Sequence, residues 1–354
     1  MSKKNANTGS LKKRLTRIAG KVEARLDEFF SEVEASPPSP LFETHAGTIL
    51  LAQVRNLTLR GGKRIRAALL VAGAALFDAD AEETPAVIDA AAAMELCQTY
   101  LLIHDDIMDR DTIRRGGPTV HVALGGFTGN PEQGEALGIL AGDLASALTQ
   151  LLLTRLPVHE SILARVMEIY TAMHLDVIHG QTLDMLGEVS AYEVAVHKTA
   201  SYTTIGPLTA GAALSGARDK DIEHLAQIAL PLGVAFQFRD DLISTFGKSK
   251  DTGKPSDTDI REGKRTALIE EARVRADSYQ LKQIQRIWGR RDASDEEVQI
   301  VRDIFEKCGA RAALAEHVRE MAAEFAAGLD KPYYTSLAKA FLTDVAAYLA
   351  EREV

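Results

Sequence analysis

Apolar residues recur along this chain every three or four positions, the spacing of amphipathic helices, and no long linker interrupts that pattern once it has begun. Met1 to Ser10 is polar and predicts a frayed start; Leu11, Leu15, Ile18, Val22, Leu26 and Phe29 then mark the first helix face. Ser36-Pro37-Pro38-Ser39-Pro40 stops it, because proline fixes φ and donates no hydrogen bond. Further helices are predicted at Ala67 to Leu76, around Ala91 to Leu102, from Leu137 to Leu156 and through Gly180. Another ends at Phe236 to Ser244, and Ala-rich amphipathic sequence fills Leu268 to Val354. Phe127 to Glu135, with Gly, Asn and Pro, reads as a loop. The pattern predicts an all-α protein: a tail, amphipathic helix and Pro-rich loop over residues 1–40, then one large domain over 41–354.

Composition narrows this picture little. The chain has 354 residues, and 41 Lys and Arg against 50 Asp and Glu give a net charge of −9. No basic block of adequate size appears, which argues against nucleic acid as a partner. The basic cluster Lys12, Lys13, Arg14 and Arg17 admits a transit peptide or membrane-surface helix, but a docked helix is the preferred reading. Two cysteines, Cys97 and Cys308, predict a reducing, cytoplasmic setting with no disulfide framework. No signal-peptide core is present, and no apolar run is read as reaching the ~20 residues of a transmembrane segment.

Candidate chemistry is densest from Gln98 to His121. Asp105, Asp106 and Asp109 lie near the end of a predicted long helix. Asp105 and Asp109 are one turn apart and about 40° apart around the axis, so they share a face. Two carboxylates about 4 Å apart repel by roughly 4 kcal/mol at an effective dielectric of 20. A hard divalent cation removes that cost, and all-oxygen ligation suits Mg²⁺ better than zinc or iron. Arg114 and Arg115 follow as donors for a phosphate oxyanion, so a Mg²⁺-bridged diphosphate is the natural ligand. Upstream, Gly61-Gly62-Lys63-Arg64-Ile65-Arg66 precedes a helix start, a second anion site or equally a helix end with a solvated basic turn. Gly180 costs its helix about 1 kcal/mol, so it marks either a helix crossing or a ligand. A second aspartate pair, Asp240-Asp241, ends another apolar helix, with Lys254 and Lys264 on the loop beyond.

Five motifs, in order and correctly spaced, make the chain similar to the trans-isoprenyl diphosphate synthases: Gly61-Gly62-Lys63-x-x-Arg66, Asp105-Asp106-x-x-Asp109 with Arg114-Arg115, Gly180-Gln181-x-x-Asp184, Lys198-Thr199, and Phe236-Gln237-x-x-Asp240-Asp241. The resemblance implies ten or more helices around a central cavity, usually in a homodimer, and head-to-tail prenyl transfer. It implies Mg²⁺ on Asp105, Asp109 and Asp240, with Asp106 and Asp241 the weaker ligand candidates. Arg114, Lys198 and Lys254 are implied to bind the allylic diphosphate, supported by Thr199, Gln237, Lys264 and Asp184. Isopentenyl diphosphate is implied to sit on Lys63, Arg66, Gln98 and Arg115. The departing diphosphate takes the final proton in such enzymes, so no protein base is nominated.

Two positions depart from the pattern. Gln98 stands where the family often has His; an amide still hydrogen-bonds a diphosphate. Ser244 stands where the second motif usually ends in a third Asp, which removes a carboxylate from around the metal. The stretch Asp240 to Ser244 also begins like a class I terpene-cyclase triad, but Lys248 holds the place of the required Glu. A non-catalytic synthase subunit tends to lose aspartates of the first motif, and all three are here. Tyr100, five residues before Asp105, is expected to face the growing tail and stop elongation, while Leu101 leaves room. Geranylgeranyl diphosphate is the expected product, farnesyl diphosphate the alternative.

Overall fold

The computed structural model describes residues 3–247 and 257–351. Helix makes up 80 % of it, as the periodicity requires. In chain order the elements are α1 (Lys3–Ala35), α2 (His45–Leu59), α3 (Ile65–Ala75), α4 (Pro85–Met108), β1 (Ile113–Arg114), β2 (Gly117–Pro118), α5 (Val120–Thr128), α6 (Pro131–Thr154) and α7 (Glu160–Leu186). Then come α8 (Ala191–Val194), a π-helix (Ala195–Ile205), α9 (Gly206–Leu214), α10 (Asp219–Phe246), α11 (Thr258–Glu262), α12 (Ala267–Arg275), α13 (Ser278–Ile287), α14 (Asp295–Lys307), α15 (Ala310–Gly328) and α16 (Ser336–Glu351). The chain separates into two compact units, Met1–Met167 with Ala210–Ala217, and Glu168–Thr209 with Arg218–Val354.

The first unit is built on α4. Pro85 at its first turn is preorganised for the helix, and its residues are buried almost continuously from Ala90 to Cys97. Leu11, Ile18, Val22, Leu26 and Phe29 of α1 are buried, so the first predicted stripe faces a core. Arg14, Arg17, Lys21 and Arg25 of α1 have protein partners, while Lys12 and Lys13 are exposed. Arg14 Nε donates to Glu82 Oε1 at 2.6 Å, Arg17 pairs with the same carboxylate, and Arg25 Nε donates to Asp89 Oδ1 at 2.5 Å. The helix is therefore docked, and much of its positive charge is matched by Glu82, Glu83 and Asp89.

Against α4 and α5 lies α6, which presents glycines at 134, 138 and 142, one per turn. Cβ atoms there would lie 2.5 Å from His121 O, 2.8 Å from His121 Cβ and 2.2 Å from His104 Nε2. Both α4 and α6 carry an 18-residue stretch long and apolar enough to cross a bilayer, which corrects the reading of no such run. In α4, 72 % of that stretch is buried within the protein, and in α6, 44 %. The predicted loop from Phe127 to Glu135 is also too long: only Gly129 and Asn130 separate α5 from α6. Asn130 Oδ1 accepts from Glu132 N and Gln133 N, and Pro131 starts the next helix, so loop-forming residues act here as caps.

In the second unit α10 packs along the π-helix, α15 and α16. The Ala-rich C-terminal sequence resolves into α12 to α16, punctuated by capping boxes at Asp277–Gln280 and Ser294–Glu297. Trp288 stacks edge-on against Phe305, ring centroids 5.9 Å apart, inside this helical layer.

Candidate active site

In the first unit, α4 stays helical through Met108 and Asp109 caps it, with Asp109 N donating to Asp105 O at 2.8 Å. The three aspartates therefore stand as expected at the end of a long, mostly buried helix. Their surroundings differ. Asp106 is fully buried, and its Oδ1 accepts from Arg114 Nε at 2.7 Å and from Arg114 Nη2. Asp105 and Asp109 are half-buried. Arg114 also donates to Asp111 Oδ2 at 3.0 Å and lies 3.7 Å from Asp105 Oδ2, so one guanidinium offsets the crowded carboxylates. Although burial opposes its charge, hydrogen bonding and attraction to Asp106 leave Arg114 more basic than usual.

Arg114 reaches the aspartates because β1 and β2 form an antiparallel hairpin, Ile113 opposite Pro118 and Arg114 opposite Gly117. Its two turn residues, Arg115 at φ 50° and Gly116 at φ 73°, are both left-handed, the requirement of a type I′ turn. This hairpin was not foreseen in the sequence. Arg60, at the end of α2, donates from Nη1 to Arg114 O at 3.0 Å and Pro118 O at 2.8 Å, and so ties the hairpin down. Arg115 lies over Gly62, where a Cβ would sit 3.3 Å from Nη2, and donates to Leu57 O at 3.3 Å. Burial, with the nearby charges of Arg64, Arg66 and Arg114, pulls Arg115 down to about 10. The predicted anion-binding residues Arg66 and Arg115 are thus close enough to interact electrostatically. Lys63 is exposed on the same turn; Gln98 is half-buried on α4.

Gly61 (φ 88°) and Gly62 (φ 135°) let the chain turn, and Arg64 follows in the left-handed region at φ 50°. Its side chain points inward while Lys63 remains outside. Arg64 and Glu95 face each other at 2.9 Å with 1 % of each side chain exposed. Arg60, Arg64 and Glu95 belong to no motif that spacing singles out. The one signal for Glu95 is a lone charge in the apolar run Ala91 to Leu102, which demands a buried partner.

In the second unit the backbones of α7 and the π-helix nearly touch: a Cβ on Gly180 would lie 2.1 Å from Lys198 N. Gly180 is therefore a crossing glycine. Lys198 Nζ donates to Asp184 Oδ2 at 2.6 Å across that crossing. Next to it, Thr199 Oγ1 donates to Gln237 Oε1 at 2.6 Å, and Gln237 Nε2 donates to Asp241 Oδ1 at 2.8 Å. Asp241 Oδ2 accepts from Ala267 N at 3.0 Å, so α12 begins on this carboxylate. Asp241 is buried, and that burial, with Asp259 nearby, pushes its carboxyl up to about 8. Asp240 is exposed. Lys264 lies 3.5 Å from Glu262 Oε2. Lys254 falls outside the described residues.

Ser244 has a carboxylate beside it despite the missing third aspartate. Its hydroxyl lies 3.0 Å from Asp241 O and also donates to the carboxylate of Asp259, which arrives from α11. No spacing rule connects residues 244 and 259, so this pairing is not legible in the sequence.

The donor set fits a hard cation. Mg²⁺ keeps several waters and takes one or two carboxylates plus phosphate oxygens, and Asp105 with Asp109 offer that kind of partial site. Among the described residues, no three His, Cys, Asp or Glu side chains converge as a closed metal cage.

The family model for polyprenyl synthetase matches residues 48–305. The chain belongs to the polyprenyl synthetase family. It is 33 % identical over 294 residues to a geranylgeranyl diphosphate synthase of Sulfolobus acidocaldarius, covering 79 % of this chain and 84 % of that one. A short chain isoprenyl diphosphate synthase of Methanocaldococcus jannaschii is 35 % identical over 249 residues, 69 % of this chain and 72 % of the relative. The crystal structure of a geranylgeranyl pyrophosphate synthase from Corynebacterium glutamicum, complexed with isoprenyl diphosphate and magnesium, superposes with a TM-score of 0.88 at 32 % identity, over 96 % of this chain and 99 % of that one. This polyprenyl synthetase is accordingly a prenyltransferase of the all-α isoprenoid-synthase fold, similar to short-chain trans-prenyl diphosphate synthases. Enzymes of this family use isopentenyl and allylic diphosphates, and solved relatives are complexed with magnesium or calcium together with isoprenyl diphosphate.

Proposed function

We propose that this synthase joins isopentenyl diphosphate head to tail to an allylic diphosphate in a Mg²⁺-dependent reaction, and that its product is geranylgeranyl diphosphate. The observation that carries the assignment of roles is the division of labour inside each acidic motif. Asp106 is engaged by Arg114, and Asp241 by Gln237 and Ala267 N, while Asp105 and Asp109 are half-buried and Asp240 is exposed. The more accessible carboxylates are the metal ligands. When bound, Mg²⁺ supplies positive charge for the leaving diphosphate.

The chain's own residues bind and orient. Arg114, which keeps its hold on Asp106, and Lys198, paired with Asp184, bind allylic diphosphate oxygens; Lys254 and Lys264 belong to the same group. Thr199 and Gln237 hold Asp241 and thereby the end of α10. Lys63, Arg66, Gln98 and Arg115 hold isopentenyl diphosphate so that its double bond meets the allylic carbon. No protein base is required, since the released diphosphate accepts the proton. Residues 41–354 act as one catalytic domain.

Tyr100 forms the floor. The residue is 8 % exposed and its ring stands edge-on to His104, centroids 5.2 Å apart, so it is held by packing. Farnesyl diphosphate is the second reading, favoured by the bulk of an aromatic ring at this position. The enzyme works as a homodimer: α6 exposes Ile139 (49 %) and Leu140 (53 %), large apolar side chains suited to a second copy. We place it in the cytoplasm, in keeping with two cysteines that are not joined in a disulfide.

The deciding experiment incubates the protein with labelled isopentenyl diphosphate and dimethylallyl, geranyl or farnesyl diphosphate, with Mg²⁺ or EDTA, and sizes the products. A Mg²⁺-dependent twenty-carbon linear product is expected. Label that stays unincorporated, or a cyclic hydrocarbon, overturns prenyl transfer. Tyr100→Ala is expected to lengthen the product, and an unchanged length removes Tyr100 as the floor.

A further inference from the structure

We infer that Arg64, without touching substrate, keeps Arg115 available for isopentenyl diphosphate by occupying the buried carboxylate of Glu95. The inference rests on the reading of Arg115 given above. Arg64 is the better-held cation: besides Glu95 Oε2 at 2.9 Å, it donates to Glu23 Oε1 at 3.0 Å and to Thr58 O at 2.7 Å, bringing α1, α2 and α4 together at one buried point. Arg115 is held far more loosely, by a 3.3 Å bond to Leu57 O.

Glu95 is the competitor. Its second oxygen, Oε1, is buried and accepts no hydrogen bond. Its charge is also among those acting on Arg115. A buried carboxylate with an unfilled acceptor attracts any guanidinium within reach. With Arg64 in place the charge of Glu95 is matched, so Arg115 stays over Gly62 beside Arg66. Without Arg64, Arg115 turns to Glu95 and is lost to the substrate. Such a role also accounts for the left-handed backbone at Arg64, which turns this side chain inward from a stretch whose neighbour Lys63 is exposed.

The test compares Arg64→Met, Arg64→Lys and the double variant Arg64→Met/Glu95→Met, measuring KM for both substrates and the Kd of isopentenyl diphosphate by calorimetry. In Arg64→Met, KM and Kd for isopentenyl diphosphate are expected to rise about tenfold or more, the loss of one charge-assisted hydrogen bond. KM for the allylic substrate stays unchanged. Arg64→Lys, which still neutralises Glu95, and the double variant, which leaves no buried charge, are expected to stay within about threefold of wild type. Equal rises for both substrates in Arg64→Met, an unchanged Kd in it, or a tenfold loss in the double variant overturns the inference. Should Arg64→Met fail to fold, the double variant decides alone. Wild-type protein that neither binds nor consumes isopentenyl diphosphate fails the underlying reading instead, a different result from wild-type turnover with variants that misbehave.

Discussion

The carboxylates of Asp105-Asp106-Ile107-Met108-Asp109 have different surroundings, and their removal is expected to fail in different ways. Asp106→Asn breaks a buried ion pair with Arg114 and is expected to cost about 2–3 kcal/mol, read as a lower melting temperature without any metal present. Asp105→Asn and Asp109→Asn leave that pair intact. They are expected to melt like wild type while kcat falls on the order of 10²–10³-fold, and to lose the rise in melting temperature that Mg²⁺ with diphosphate gives wild type. Equal melting losses in all three variants would dissolve the distinction between ligand and scaffold. Sequence spacing alone put Asp105 and Asp109 on one face, since helical geometry is local. Which aspartate is satisfied by Arg114 was not legible, because the hairpin that brings the arginine back has strands of only two residues. Periodicity cannot register so short an element.

At the scale of elements, the lines of contact are drawn by residues without side chains. Gly180 lets α7 touch the π-helix at Lys198, and Gly233 lets α10 approach it at Ala200, where a Cβ would lie 2.4 Å from Ala200 Cα. The π-helix is thus clamped on two sides just where Lys198 and Thr199 leave it. Gly180→Ala is expected to force the helices apart, costing about 1–3 kcal/mol and raising KM for the allylic diphosphate more than for isopentenyl diphosphate. Circular-dichroism melting and steady-state kinetics read both. The helices themselves were visible from their apolar stripes, and α4 was visible with its acidic end. The π-helix was not, because its apolar residues satisfy an ordinary helical period equally well. Nor was the two-residue break at Gly129-Asn130, where loop-forming residues serve as caps to two abutting helices.

For the whole molecule, the exposed apolar side chains of α6 carry the remaining prediction. Sedimentation is expected to show a dimer, and Ile139→Glu/Leu140→Glu is expected to leave a monomer with unchanged helix content. A dimer that survives both charges would put the interface elsewhere. The amino-acid sequence alone determined the all-α class, the two acidic helix ends, the glycine and basic motifs, and through them the family. Those are properties of residues a few positions apart, where helical geometry and side-chain chemistry suffice. Tertiary structure decided which groups are spent on holding the fold. Arg114 meets Asp106, Glu95 takes Arg64, Asp241 anchors α12, and Asp259 stands where Ser244 lacks a carboxylate. Each of these pairings joins different elements of the chain, and burial makes an unmatched charge costly enough to select its partner. Nothing in local spacing encodes that choice.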